Sequence, residues 1–201
     1  ADGTGNCMLD ILPEPQYVAA LNSPEYYSPA VNGETYPNAT LCGAYARVEG
    51  SNGSVIVKIV DRCPGCPEGH LDLSLEAFAE IDEVGLGFVP ITWQLVSIPL
   101  DSPVRFRYKA GSSQWWTAVQ VQNHRNPVAK LEFLNGENWQ EIPRTDYNYF
   151  LNASGLGQGY HTFRITDIFG STLIETSTIY LDQYNPQAID WTGVGQFPPP
   201  E

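Results

Sequence analysis

The sequence predicts an all-β protein built as two domains, and three observations carry that expectation. The chain has 201 residues, more than one minimal domain needs and enough for two of roughly 100 residues each. It carries 18 Gly and 16 Pro among 42% apolar residues, so turn formers break the apolar residues into strand-sized runs. Within those runs apolar and polar residues alternate, the two-residue period of a half-buried strand. The same composition excludes a disordered or fibrous chain. No run approaches the roughly 18 apolar residues that a membrane helix requires.

The elements follow in order. Ala44, Ala46 and Val48 alternate with Tyr45, Arg47 and Glu49, a turn follows at Gly50-Ser51-Asn52-Gly53, and alternation resumes with Val55, Val57 and Ile59; this reads as a hairpin. A short helix is expected after Ser74 as N-cap, with Leu75, Phe78 and Ile81 on one face, and another at Ser23-Pro24, where Ser caps and Pro takes the first helical position. Ile91–Ile98 is strand-like and runs into Pro99-Leu100-Asp101-Ser102-Pro103. The proline pair marks the boundary, giving a first domain of residues 1–98, a linker of 99–103 and a second domain of 104–201. Beyond it, alternation at Val104, Phe106 and Tyr108, at Val119 and Val121, at Leu131 and Phe133, at Phe163 and Ile165, and from Ile174 to Ile179 is punctuated by Asn135-Gly136, Gly155-Leu156-Gly157 and Phe169-Gly170. This predicts a β-sandwich. The closing Phe197-Pro-Pro-Pro-Glu201 cannot extend a ladder and is either an extended tail or a docked one.

Ten Lys and Arg against 23 Asp and Glu leave a net charge of −13, which repels phosphate backbones and argues against nucleic acid as a partner. Four cysteines, all in the first third, predict two disulfides in an exported protein, and the chain from Ala1 is expected to be the mature secreted form. Three connectivities are possible; the reading taken here is Cys63 with Cys66, leaving Cys7 with Cys42. Zinc is the competing reading of Cys63-x-x-Cys66 followed by His70, but it wants four ligands, and His124 and His161 lie in the other domain. No metal or other cofactor is expected.

The densest chemistry lies in Asp61-Arg62-Cys63-Pro64-Gly65-Cys66-Pro67-Glu68-Gly69-His70-Leu71-Asp72. A carboxylate ends the strand and a second stands just before a helix cap. Such an arrangement can bring two acids within hydrogen-bonding range and raise one pKa, yielding a proton donor. The plainer alternative is that both are turn or capping aspartates.

This stretch, with Leu41-Cys42-Gly43-Ala44-Tyr45 upstream, resembles the first domain of the expansins, a six-stranded double-psi β-barrel. Gly111-Ser112-Ser113-Gln114-Trp115-Trp116, running on to His124-Arg125-Asn126-Pro127, together with Asp146-Tyr147-Asn148, resembles their second domain, an immunoglobulin-like cellulose-binding β-sandwich of the family 63 carbohydrate-binding module type. Both matches stand in the order and at the spacing of microbial two-domain expansins. The resemblance implies a secreted, monomeric protein that loosens plant cell walls and binds cellulose and other wall β-glucans without hydrolysing them. It implies that Asp72 is the aspartate on which activity depends and Asp61 its hydrogen-bonding neighbour. Trp115, Trp116 and Tyr147 correspond to the aromatics of a flat binding face, and Lys109 to a basic residue beside it.

Physical reasoning supports such a platform, because the apolar face of a pyranose ring stacks on an aromatic ring. Adjacent Trp115 and Trp116 would point to opposite faces of a regular strand, so either the pair sits at a bulge or loop, or one indole is core. Trp93 and Trp139 read as core or edge residues. Three departures from the family stand out. A strand with polar residues is expected before Asp2-Gly3-Thr4, where this chain starts; Cys63 replaces an aromatic; and the acidic charge predicts weak adhesion to anionic wall polymers.

The barrel also resembles family-45 endoglucanases and lytic transglycosylases. Asp61 and Asp72 read as too closely paired for an inverting acid and base, which stand about 6.5 to 9.5 Å apart. The alternatives are therefore a lytic enzyme acting on wall polysaccharide or peptidoglycan through a single Asp, and an inert cellulose-binding protein.

Overall fold

Short strands joined by turns make up nearly all of the chain, as the alternation predicts. The computed structural model describes residues 5–13 and 16–200, and the chain divides into two units, Ala1–Ile98 and Pro99–Glu201. Asp2-Gly3-Thr4 and Glu201 lie outside the described residues.

The first unit contains β1 (Val18–Asn22), α1 (Ser23–Tyr27), a small ribbon of β2 (Ala30–Val31) and β3 (Glu34–Thr35), then β4 (Tyr45–Glu49), β5 (Ser54–Cys63), β6 (Leu71–Leu73), α2 (Leu75–Ala79) and β7 (Thr92–Val96). Among the described residues its main sheet has five strands in the order β6-β1-β5-β4-β7. The β4–β5 hairpin pairs Tyr45 with Lys58 and Glu49 with Ser54. β1 runs parallel to β5, is buried at all five positions and therefore shows no alternation. Cys7 donates its N–H to the Val60 carbonyl at 3.2 Å and bonds to Cys42, so the segment around Cys7 is tied to β5. The second disulfide joins Cys63 to Cys66.

Both short helices form, with corrections. Asn22, not Ser23, caps α1: its Oδ1 accepts the Glu25 N–H, which places Ser23 and Pro24 inside the first turn. Asn22 is fully buried, where its amide reaches both Glu25 and the His70 carbonyl. Ser74 caps α2 by accepting the Ala77 N–H. Ile81 is buried and Phe78 packs partly against the same cluster, as expected, but Leu75 is 63% exposed and Ala77 takes its place in the core. Leu75 stands two residues from Ala77, about 200° round the helix, so the face that buries Ala77 and Ile81 turns Leu75 outward.

The second unit contains β8 (Arg105–Tyr108), β9 (Thr117–Gln122), β10 (Val128–Asn135), β11 (Asn138–Glu141), β12 (Phe150–Asn152), β13 (Thr162–Asp167), β14 (Thr172–Thr176) and β15 (Ile189–Thr192). They form two four-stranded sheets, β11-β10-β13-β14 and β12-β9-β8-β15. Between them lies one cluster that includes Val104, Phe106, Leu131, Phe163, Ile165 and Trp191. Trp191 stacks on Phe106 at 5.1 Å and leans on Tyr108 at 4.6 Å. β14 reverses the sequence expectation: Ile174 is 58% exposed and Glu175 is buried. The buried carboxylate accepts the Val194 and Gly195 N–H groups at 3.0 Å. Phe197 is buried and the Pro198 carbonyl accepts from Asn126, so the tail is docked up to that point.

Candidate functional site

In the first unit the site is set by one irregularity in the sheet. Ala19 pairs with Ile59 but Ala20 pairs with Asp61, so Val60 is an extra residue on β5. Without that bulge Ala20 would face Val60, and Asp61 would share the face of fully buried Leu21. The bulge buries Ile59 and Val60 in succession and turns Asp61 to the other face. Ala20 also pairs with Asp72 on β6. Asp61, Ala20 and Asp72 therefore form a row across three adjacent strands, with the smallest side chain in the middle.

That row corrects the expectation of a hydrogen-bonded pair. The two aspartates stand two strand spacings apart, roughly 10 Å between Cα atoms, and among the described residues no hydrogen bond joins them. Asp61 instead holds the Gly5–Asn6 segment: its Oδ1 accepts the Asn6 N–H at 2.5 Å and the Arg62 N–H at 2.7 Å. Gly5 packs so tightly on this carboxylate that a Cβ there would lie 2.2 Å from Asp61 Cγ. Close pairing is thus not what separates this site from an acid–base pair; the commitment of Asp61 to backbone donors is. Asp72 remains exposed on its strand. Leu71 and Leu73, pointing the other way, line a cleft of about 250 Å³ with His70, Phe78 and Phe88. Trp93 is half-buried and donates to the Gly69 carbonyl at 3.0 Å, fixing the loop that leads into β6. Among the described residues no cluster of His, Cys, Asp and Glu could hold a metal ion.

In the second unit the face of β12-β9-β8-β15 turned away from the core is the second candidate site. By the pleat, Lys109, just past β8, shares this face with Arg105 and Arg107; Trp116, just before β9, shares it with Ala118, Gln120 and Gln122. Trp115 and Trp116 are indeed at a turn: Ser113 and Trp116 bridge, and Gln114-Trp115 is the two-residue tip. Trp115 is 60% exposed, whereas Trp116 is half-buried. The tip is clamped by backbone. Gly157 donates to the Gln114 carbonyl at 3.0 Å, and a Cβ on Gly155, whose φ is +74°, would lie 2.0 Å from that same oxygen.

Tyr147 sits in the Thr145–Tyr149 turn, where Thr145 donates to the Tyr149 carbonyl at 2.7 Å and Asn148 adopts φ +62°. Its ring is 6.1 Å from Tyr149, and Lys109 Nζ lies 5.3 Å above the Tyr149 ring, a cation–π distance. Buried Tyr149 thus links Lys109 to Tyr147, a role the sequence reading missed although Tyr147-x-Tyr149 is a same-face spacing. Arg107 binds Asp190 through two hydrogen bonds of 2.6 and 2.7 Å, giving the face a polar floor. Trp139 keeps its edge role, with the Arg164 guanidinium 4.6 Å from its ring.

A strand-borne carboxylate on a barrel and an aromatic-flanked sheet face on a sandwich define a two-domain, barrel-plus-sandwich class of protein. The family model described as "Lytic transglycolase", a double-psi β-barrel model, matches residues 19–93. Expansin-YoaJ of Bacillus subtilis is 34% identical over 194 residues, covering 96% of this chain and 81% of that protein. Two crystal structures of Clavibacter michiganensis expansin, each 33% identical, cover 97% of this chain and 89% of their own: the apo protein at a TM-score of 0.80, and an aspartate-to-asparagine variant in complex with cellohexaose at 0.81. The chain belongs to the expansin family, with a double-psi β-barrel followed by a β-sandwich.

Proposed function

We propose that this expansin loosens plant cell walls without hydrolysis. The sandwich anchors on cellulose through Trp115, Trp116 and Tyr147, with Lys109 beside them, while the Asp72 groove grips a glucan strand and disrupts noncovalent contacts between chains. It acts as a secreted monomer and needs no cofactor. The observation that carries this reading is Trp115, a large apolar ring 60% exposed on a tip that backbone contacts hold in place; a ring presented this way calls for a binding partner. The Clavibacter expansin complex with cellohexaose supports a glucan as that partner. The engagement of Asp61 with two backbone N–H groups supports the nonhydrolytic part, because it draws that carboxylate away from service as a second catalytic group.

A second reading rests on the barrel's match to the lytic model: Asp72 alone acts as acid and then base on a wall polysaccharide or peptidoglycan. Constant-load extension of heat-inactivated plant walls, with released sugars monitored, separates the two. Creep lost in Asp72→Asn, with cellulose adsorption intact and no sugar released, is the expected result. Retained creep in that variant overturns the proposal, Asp72-dependent product release favours the lytic enzyme, and adsorption without creep in either protein leaves an inert binding module.

A further inference from the structure

Beside the Trp115 tip lies a group of exposed residues that the aromatic platform does not include. Gly159 and Leu181 form an antiparallel bridge, with N–H to carbonyl distances of 3.0 and 2.8 Å in the two directions. Leu181 is fully buried in the core, so the residues on either side of this bridge point outward. Tyr160 and Tyr180 are directly opposed, 61% and 48% exposed, and meet edge to face at 5.1 Å. On the other side of the bridge, Gln158 donates to Asp182 Oδ1 at 3.4 Å, and both are exposed. Two large aromatic rings are thus held in the open beside an amide and a carboxylate. The same two segments grip the Trp115 tip: the Asp182 carbonyl accepts the Gln114 N–H at 2.7 Å, and Gly157 donates to the Gln114 carbonyl.

We propose that Tyr160, Tyr180, Gln158 and Asp182 form an additional subsite for an uncharged glucan chain, continuous with the Trp115 tip. Standing at 81° to each other, the rings divide the work: one stacks its face on the apolar face of a pyranose unit, the other flanks that unit, and the neighbouring amide and carboxylate bind its hydroxyls. Asp182, within a chain of net charge −13, selects a neutral polymer over a uronate one. The rings' mutual contact and the bridge beneath them keep the patch ordered before binding, which lowers the entropic cost of association. The proposal rests on the reading that the sandwich binds glucan.

The test uses the full chain and cellohexaose, following the ring resonances of Trp115, Tyr160 and Tyr180 by NMR together with adsorption to crystalline cellulose. Shifts at both tyrosines, and an affinity about tenfold lower in Tyr160→Ala/Tyr180→Ala, equivalent to about 1.4 kcal/mol, are expected. The Tyr→Phe pair, which keeps the rings, should retain most of the affinity and show that the loss comes from stacking. Shifts at Trp115 with none at the tyrosines overturn the subsite and leave the platform standing. Shifts at the tyrosines with none at Trp115 overturn the continuity with the Trp115 tip and the platform with it, leaving a separate glucan site. No shift at any of the three overturns both.

Discussion

The barrel and the sandwich are held together, and present their candidate sites, by different means. The barrel divides its buried apolar residues between two clusters, one around Leu21, Tyr26 and Ile59, the other around Ala46, Val57 and Ile81, and it carries both disulfides. Among the described residues the sandwich has a single cluster, centred on Phe106, Phe163 and Trp191, and it has no cysteine to form a disulfide. A small domain with a divided core gains most from a covalent constraint on its unfolded state. Site presentation differs as well. Asp72 and Asp61 stand on strands, where a bulge in β5 turns Asp61 to the face of Asp72, so ladder hydrogen bonds set their positions. Trp115 and Tyr147 stand on turns, where glycine contacts and left-handed residues do that work. Each site should therefore fail through a different kind of substitution.

The largest effect should come from Cys7→Ala/Cys42→Ala. Opening a loop with a sequence separation of 35 costs about 4 kcal/mol on chain-entropy grounds. Calorimetry should show the barrel's transition falling and the sandwich's unchanged; a joint fall would break the comparison. Gly155→Ala comes next. Strain at its positive φ costs about 1 to 3 kcal/mol, and the collision with Gln114 displaces the Trp115 tip, so cellulose adsorption should fall at least about tenfold with the barrel's melting unchanged. Unaltered adsorption would show that the tip does not carry binding.

Asp61→Ala removes an acceptor of two backbone N–H groups and should cost the barrel about 1 to 3 kcal/mol in chemical denaturation, leaving adsorption intact. A loss no larger than that of an exposed aspartate would mean that Asp61 does not anchor the Gly5–Asn6 segment.

The smallest effect concerns pH. His161 Nε2 donates to the Leu156 carbonyl at 3.1 Å, within the loop that clamps Trp115. Burial pushes its imidazole below the usual 6.5, and hydrogen bonds to the Leu156 and Gly157 backbone oppose that shift. A folded value below the unfolded one means that this stabilisation is full above about pH 6.5 and is lost as the pH falls toward the folded value. The sandwich's melting temperature should decline over that window, and His161→Phe should remove the decline.

Much of this was legible in the primary structure. The β4–β5 hairpin, the Ser74 cap and the sandwich alternation follow from residue periods and turn chemistry, whereas Asp72, Trp115, Trp116 and Tyr147 were singled out by the family resemblance, since local patterns alone favour capping aspartates and core tryptophans. The Asn22 cap was missed because Ser23-Pro24 is an equally good local signal, and only the burial of Asn22 against the His70 carbonyl decides between them. Buried Glu175 was missed because its partners, the Val194 and Gly195 N–H groups, lie some 20 positions away. Tyr149 and the fifth tryptophan, Trp191, drew no attention because nothing near either of them in the chain shows what it touches.

By itself, then, the sequence determined which residues alternate and where the chain turns, since these depend on interactions within a few positions. Only the tertiary structure decided that Val60 is extra, that Ala20 separates the two aspartates, and that Gly155 locks the Trp115 tip. Each of these depends on register or contact between segments distant in the chain, and a two-residue period is blind to a one-residue slip until the partner strand is in place.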